Sequence, residues 1–75
     1  MFIRPTSDAN VRFDALCRLL RKLGFAERQR GGHHIFHKDG LSELVVLQRD
    51  GSHAKPYQVR QVRRVILKYQ LGERK

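Results

Sequence analysis

The chain lacks most of the features that stabilise, export or anchor very small proteins. Its single cysteine, Cys17, cannot form an internal disulfide, and a structural zinc site would lack paired thiolates. It has no apolar run of about 18 residues, so we expect no transmembrane helix. Residues 1–5 contain no apolar h-region, so we expect no secretory signal there. A lone thiol is typical of a reducing compartment, which predicts a cytoplasmic protein with Cys17 as a small core residue.

Acidic side chains are also scarce. The 75 residues carry seven Asp and Glu against 16 Lys and Arg, a formal net charge of +9. This excess favours a polyanionic partner: nucleic acid first, then an acidic membrane surface, then an acidic protein. The length leaves room for one hydrophobic core. We therefore predict a single domain over residues 1–75, with a lead-in at 1–6 and a basic tail at 72–75.

Two segments have the apolar periodicity of amphipathic helices. The first apolar stripe consists of Phe13, Leu16, Leu19, Leu20 and Leu23. It predicts a helix that starts between Ser7 and Arg12, with Ser7, Asp8 and Asn10 as candidate N-caps. Gly24 is expected to end this helix with a positive φ angle. The second helix is predicted over 56–70, with Pro56 at its first position and an apolar stripe of Val59, Val62, Ile66 and Tyr69.

Three short strands are predicted between the helices, over 25–30, 33–38 and 44–47, and Gly31-Gly32 and Asp39-Gly40 mark turns. The two helical stripes need a common apolar surface, and a three-stranded antiparallel sheet offers one face for both. The sequence therefore predicts an α+β two-layer domain of order α-β-β-β-α with both helices on one face. This is the topology of a double-stranded-RNA-binding domain in a shortened form.

The segment Gly31-Gly32-His33 is the first candidate site. Two glycines allow a ligand to approach the backbone closely and expose N–H groups to a phosphate oxygen. His33 would then be placed as a general acid or base, since an imidazole changes protonation near neutral pH. A hairpin turn followed by a strand with incidental histidines explains the same residues. No metal site is predicted, because His33 and His37 lie about 13 Å apart along a strand and His33 and His34 point to opposite faces.

The last helix carries the second candidate site, a row of cations. Its members are Arg60, Arg64 and Lys68, with Arg63 beside them and Lys55 at the helix entry. No acidic residue lies between Asp50 and Glu73, so the row lacks the acidic helical neighbours that a solvated face commonly has. Contacts to phosphates are therefore favoured over plain solvation, and the helix N-terminus also attracts phosphate. Tyr57 is the aromatic residue that we expect to be exposed for stacking on a base.

The chain resembles the HicA toxins of bacterial HicA–HicB toxin–antitoxin pairs. The segments LRKLGF at 20–25 and QRGGHHIF at 29–36 carry the resemblance, followed by a hydrophobic strand and a helix opening with Lys55-Pro56. Together they cover roughly residues 12–70. The resemblance implies a small endoribonuclease that cleaves mRNA without a metal or other cofactor and acts in a stress response. It also implies a HicB-like antitoxin that covers the active site.

By this resemblance His33 is the catalytic residue, because the family pattern is Gly-Ser-His. Gly32 stands where serine is common, so this chain has no hydroxyl there to contact a phosphate. Gly31 and Gly32 would admit the scissile phosphate, and flanking phosphates would be held by Lys55, Arg60, Arg63, Arg64 and Lys68. Two alternatives need no catalytic histidine: a non-catalytic RNA-binding module of the same fold, and a basic protein that docks an acidic partner.

Overall fold

In the computed structural model, which describes residues 10–71, five elements follow one another in the predicted order. They are α1 (Phe13–Lys22), β1 (Ala26–Arg30), β2 (His33–His37), β3 (Val45–Gln48) and α2 (Pro56–Tyr69). The strands form one antiparallel sheet with β2 in the centre. This confirms the α+β class and the α-β-β-β-α topology of a double-stranded-RNA-binding domain. The predicted lead-in at 1–6, the caps Ser7 and Asp8, and the tail at 72–75 lie outside the described residues.

The core lies between one face of the sheet and one side of each helix. From the sheet, Phe36, Val45 and Leu47 are fully buried. The helices contribute Phe13, Leu16, Cys17, Leu20, Val59, Val62 and Val65 to the same cluster. Because residues of both helices belong to the same buried cluster as Phe36, Val45 and Leu47, the two helices cover one face and leave the other face of the sheet uncovered.

Helix α1 begins without the polar cap that the sequence predicted. Its N-cap is Arg12, and no side chain of the described residues caps it, so the prediction that Asn10 could be the cap is wrong. A neighbouring backbone segment takes the place of a cap. The N–H of Phe13 donates to the carbonyl of Ser52 at 2.9 Å, and Arg12 forms an isolated bridge with His53. One of the N–H groups that every helix start leaves unpaired is thereby satisfied.

The predicted boundaries hold to within one or two residues, and the packing explains the differences. Gly24 ends α1 with φ +99°, as predicted. Phe25 is buried in the core just before β1. Leu44 is 57% exposed and lies outside β3, which instead extends to Gln48. With a side-chain period of two, burial of Val45 and Leu47 turns Leu44 towards solvent.

A polar cluster fills the space between α1 and the sheet. The Nδ1–H of His34 donates to Glu27 Oε2 at 2.6 Å, and Arg21 Nε donates to Glu27 Oε1 at 3.0 Å. The amide nitrogen of Gln29 lies 3.2 and 3.3 Å from the two ring nitrogens of His34. The hydrogen bond from His34, and then that from Arg21, holds the pKa of Glu27 below its usual range. The cluster joins α1 to β1 and β2.

The Cys17 thiol lies beside this cluster, and its side chain is part of the core, as predicted. Burial, helped by the nearby Glu27 carboxylate, raises the pKa of Cys17 to about 11. The group is therefore a neutral thiol near neutral pH, which suits packing and not nucleophilic attack.

The alternation of β3 predicts unequal costs for two adjacent truncations. Leu47 is fully buried and Val46 is 41% exposed. We expect Leu47→Ala to lower the free energy of unfolding by about 2–5 kcal/mol, because the change leaves a cavity in the core. Val46→Ala, the matched control, should cost about 1 kcal/mol or less. Urea unfolding followed by circular dichroism measures both values, and equal costs would contradict the assigned faces of β3.

The contacts of Glu27 predict a pH dependence of stability. A carboxyl whose pKa is lower in the folded than in the unfolded state stabilises the fold above the unfolded pKa, about 4.3 for Glu. That stabilisation is lost as the pH falls through the folded pKa. We expect the free energy of unfolding to fall more steeply below pH ~4.3 in the wild type than in Glu27→Gln.

The control is Glu43→Gln, which removes a more exposed carboxylate that pairs with Lys68. Its pH profile should remain closer to that of the wild type, because exposed ion pairs contribute little. Parallel profiles for the wild type and Glu27→Gln, in urea unfolding over a series of pH values, would show that the His34–Glu27 contact does not stabilise the fold.

Candidate functional site

His33 is exposed at the start of the central strand. Along β2 the side chains alternate: His34 and Phe36 are buried on the helix side, and His33 and His37 are exposed on the uncovered face. His33 follows the two-residue turn Gly31-Gly32 directly, so its imidazole lies at one end of the sheet. The ring is accessible to a large ligand on this face.

Arg30 and Gln48 are the cross-strand neighbours of His33. Arg30 is paired with it on β1, and Gln48 is paired with it on β3. Residues directly opposite each other in an antiparallel sheet present their side chains on the same face. A guanidinium and an amide therefore flank the imidazole on the uncovered face, and all three residues are exposed.

Of the two positions in the turn, only position 31 requires glycine. Gly31 has φ +58°, in the left-handed region that favours glycine. Gly32 has no positive φ, and a Cβ built on it would meet no atom within 4 Å. A serine would therefore fit at position 32 without strain. Glycine there leaves the backbone beside His33 open to a ligand.

The predicted cations lie along α2, on the other layer of the domain. Tyr57, Arg60, Arg64 and Lys68 are exposed, and Arg63 is half-buried. An open concave surface on α2 is lined by Tyr57, Arg60, Gln61, Arg63, Arg64, Leu67 and Lys68. From Arg60 to Lys68 this surface runs about 12 Å along the helix axis.

Gln58 connects the start of α2 to the His33 end of the sheet. Its side-chain Nε2 donates to the carbonyl of Gln48 at 3.0 Å, and its Oε1 accepts from the backbone N–H of Lys55 at 3.3 Å. Because Gln48 is also the partner of His33, the entry of α2 lies at the same end of the sheet as His33, on the opposite face. Arg64 and Lys68 lie further along the helix.

Loop carboxylates neutralise two of the predicted cations. Lys55 Nζ lies 2.7 Å from Asp50, and Lys68 Nζ lies 2.5 Å from Glu43. These contacts raise the pKa of Lys55 and of Lys68 and lower those of the two carboxyls. Helical spacing could not reveal these partners, because both acids precede the helix.

Arg60 and Arg64 differ from the two lysines. Within residues 10–71 neither forms an ion pair. Among residues 10–71, they are therefore the exposed arginines of the row that have no carboxylate within ion-pair distance.

Two of the residues around His33 were not predicted as site residues. Arg30 could have been found, because a two-residue turn at Gly31-Gly32 pairs the residues on either side of it. Gln48 could not have been found from the sequence. Seven residues, 38–44, separate β2 from β3, and a connection of this length does not determine which residues of the two strands pair.

Neither helix of the described part of the chain has the length and apolarity that crossing a membrane requires.

Comparison with known proteins identifies the family of the chain. The family described as HicA toxin of bacterial toxin–antitoxin matches residues 13–69, from the start of α1 to the end of α2. No curated protein and no solved structure matches the chain. A HicA toxin is one member of a toxin–antitoxin pair, so the family implies a HicB-type antitoxin as partner. The match covers most of the 75 residues, and the chain therefore belongs to the HicA toxin family of bacterial toxin–antitoxin systems.

Proposed function

We propose that this chain is a metal-independent endoribonuclease that cleaves mRNA with His33 as its general acid or base. The observation that carries the proposal is an exposed imidazole next to a side-chain-free turn, with Arg30 on the same face. The family of the chain supports a toxin, and cleavage of mRNA is a direct way for a small protein to arrest growth.

RNA carries its own nucleophile, so one positioned proton carrier is sufficient for slow cleavage. The 2′-oxygen forms a bond to phosphorus, and the bond from phosphorus to the 5′-oxygen breaks. The proton of the 2′-OH leaves to a base, and the 5′-oxygen receives a proton from an acid. His33 performs one of these transfers, and solvent performs the other. A single acid–base group contributes typically about 10²–10⁴-fold.

Arg30 is suited to stabilise the charge of the transition state. Negative charge develops on the phosphorane oxygens, and a nearby guanidinium donates to such oxygens in a fixed, planar geometry. The N–H groups of the glycine turn add further donors where no side chain obstructs the phosphate. Gln48, on the other side of His33, offers an amide for a neighbouring 2′-hydroxyl or phosphate.

The bound RNA would continue from His33 over the edge of β3 to α2. Lys55 lies nearest along this route, followed by Arg60 and Arg64, and Tyr57 is 56% exposed beside them for stacking on a base. Lys55 and Lys68 would exchange their carboxylates for phosphates, so they should contribute less than Arg60 and Arg64, which form no ion pair within the described part of the chain. The HicB-type antitoxin would inhibit the enzyme by covering His33. The place of action would be the cytoplasm, during a stress response.

Removal of the His33 imidazole should separate cleavage from binding. We expect His33→Ala to reduce the rate of mRNA cleavage by at least about 100-fold. Its affinity for RNA and its unfolding midpoint should stay close to the wild-type values, because His33 is exposed. The measurements are cleavage of a labelled mRNA in EDTA, a gel shift, and growth arrest on induced expression.

The matched control is His37→Ala, which removes an exposed imidazole from the same face of β2, about 13 Å away. This variant should cleave at the wild-type rate. Full activity of His33→Ala would contradict the catalytic assignment. A wild-type protein that shifts the RNA but leaves it intact would instead be a non-catalytic RNA-binding module. If the chain instead binds an acidic protein even at high salt, and does not shift RNA in a gel at low salt, its function would be protein docking.

Neutralising two arginines of α2 should reduce the salt dependence of RNA binding. If Arg60 and Arg64 each contact a phosphate, the slope of log K against log salt should be less negative by about 1.4 in the Arg60→Gln/Arg64→Gln variant, for single-stranded RNA. Fluorescence anisotropy with a labelled RNA at several salt concentrations measures this slope.

The control variant, Arg18→Gln/Lys22→Gln, removes the same charge from exposed positions four residues apart on α1. Its slope should remain near the wild-type value, because α1 lies away from the proposed RNA path. Equal slopes for the two double variants would show that net charge, and not the surface of α2, determines RNA affinity.

A further inference from the structure

Three metal-ligating side chains of different chemistry meet behind the central strand. Cys17 on α1, Glu27 on β1 and His34 on β2 bring a sulfur, a carboxylate oxygen and a ring nitrogen within 4.8 Å of one another. Cys17 and His34 are buried and Glu27 is half-buried, so the group is largely shielded from solvent. We propose that this cluster is a binding site for a thiophilic divalent metal ion such as Zn²⁺.

The ligand set favours zinc over magnesium or calcium. Thiolate and imidazole ligands select Zn²⁺ and similar ions, whereas Mg²⁺ and Ca²⁺ take oxygen ligands. Three protein ligands with a water molecule at the fourth position form a common tetrahedral zinc arrangement. A thiolate from Cys17 and the carboxylate of Glu27 together supply two negative charges, which neutralise the ion where it is shielded from water. On binding, the thiol proton leaves to solvent, and the neutral His34 ring carries its proton on Nε2 so that Nδ1 can coordinate the ion.

The distances are close to those that one ion needs. Zinc bonds of about 2.0–2.3 Å place the atoms of a tetrahedral site roughly 3.3–3.8 Å apart. His34 Nδ1 and Glu27 Oε2, now 2.6 Å apart, would separate by at least about 0.7 Å as the ion replaces their hydrogen bond, and the other atoms, all within 4.8 Å of one another, would approach by at most about 1.5 Å. Rotation of these side chains is sufficient for such changes.

A second layer of contacts already orients two of the ligands. Arg21 Nε donates to Oε1 of Glu27, which leaves Oε2 directed at His34. The amide of Gln29 holds the ring of His34 from the strand next to it. Such outer partners are a regular feature of metal sites, where they fix the orientation of the ligands.

The ion would act as a structural link behind the candidate active site. It would join α1 to β1 and β2, and small domains with thin cores gain markedly from such a link. Because His33 and His34 point to opposite faces of β2, an ion at His34 would not occupy the imidazole of His33. The site is therefore independent of the proposed cleavage reaction, which should persist in EDTA.

Cobalt binding to the wild-type chain tests the site directly. Co²⁺ bound to a thiolate gives a charge-transfer band in the near ultraviolet, and this chain has a single cysteine, so such a band reports Cys17. We expect the band to appear with one equivalent of Co²⁺ per chain and to be displaced by Zn²⁺. Absence of the band on saturation with Co²⁺ would overturn the proposal, whether or not the protein cleaves RNA.

Thermal unfolding with Zn²⁺ supplies an independent readout. Zn²⁺ at about 100 times its Kd should raise the unfolding midpoint of the wild type by roughly 10–20 °C. Cys17→Ala and His34→Gln should each weaken Zn²⁺ binding by at least about 100-fold. Even the loss of a residue that only hydrogen-bonds a ligand typically lowers metal affinity by about 10–100-fold. The control, His37→Ala, removes an exposed imidazole and should retain the full shift. A shift that survives in Cys17→Ala, or that is lost in His37→Ala, would assign the metal to surface histidines and overturn the site.

Discussion

The central strand β2 is hydrogen-bonded on both sides, and its register decides the environment of each of its histidines. Pairing with β1 and β3 directs Phe36 and His34 towards the helices and leaves His33 and His37 on the uncovered face. A slip of one residue would exchange the two faces. It would bury the imidazole proposed for catalysis and expose Phe36, which is the largest apolar side chain of the strand. Burial of Phe36 therefore maintains the exposure of His33.

The two histidines next to each other in the chain consequently have different roles. His34 is held by Glu27 and Gln29 and stacks edge-on against Phe13, with ring centroids 5.1 Å apart. It belongs to the polar cluster that joins α1 to the sheet. His33 has an arginine and a glutamine as cross-strand neighbours and is open to solvent. Adjacent residues of one strand thus separate a structural function from a proposed chemical one, because the strand alternates.

Several parts of the fold could be predicted from the sequence because local rules determine them. The stripe from Phe13 to Leu23 and the recurrence of Val59 and Val62 indicate helices, since only one helical side can be buried. Gly24 and Gly31 are where the backbone needs glycine, because both have a positive φ angle. The cap of α1 was not predictable in this way, because its partner is the backbone of Ser52, 39 positions further along the chain. The carboxylate partners of Lys55 and Lys68 were likewise not predictable from local sequence, since both come from loops that precede α2.

Sequence alone determined the class of the fold, the excess of positive charge, and the glycine–histidine segment typical of the HicA family. These properties depend on residue type and on spacing along one element, which the chain displays directly. The tertiary structure decided that Arg30 and Gln48 flank His33, that Gln58 connects the helix entry to β3, and that Cys17, Glu27 and His34 meet in one cluster. Each of these juxtapositions joins different elements, and packing around a shared core sets which residues of different elements come within a few ångströms of one another.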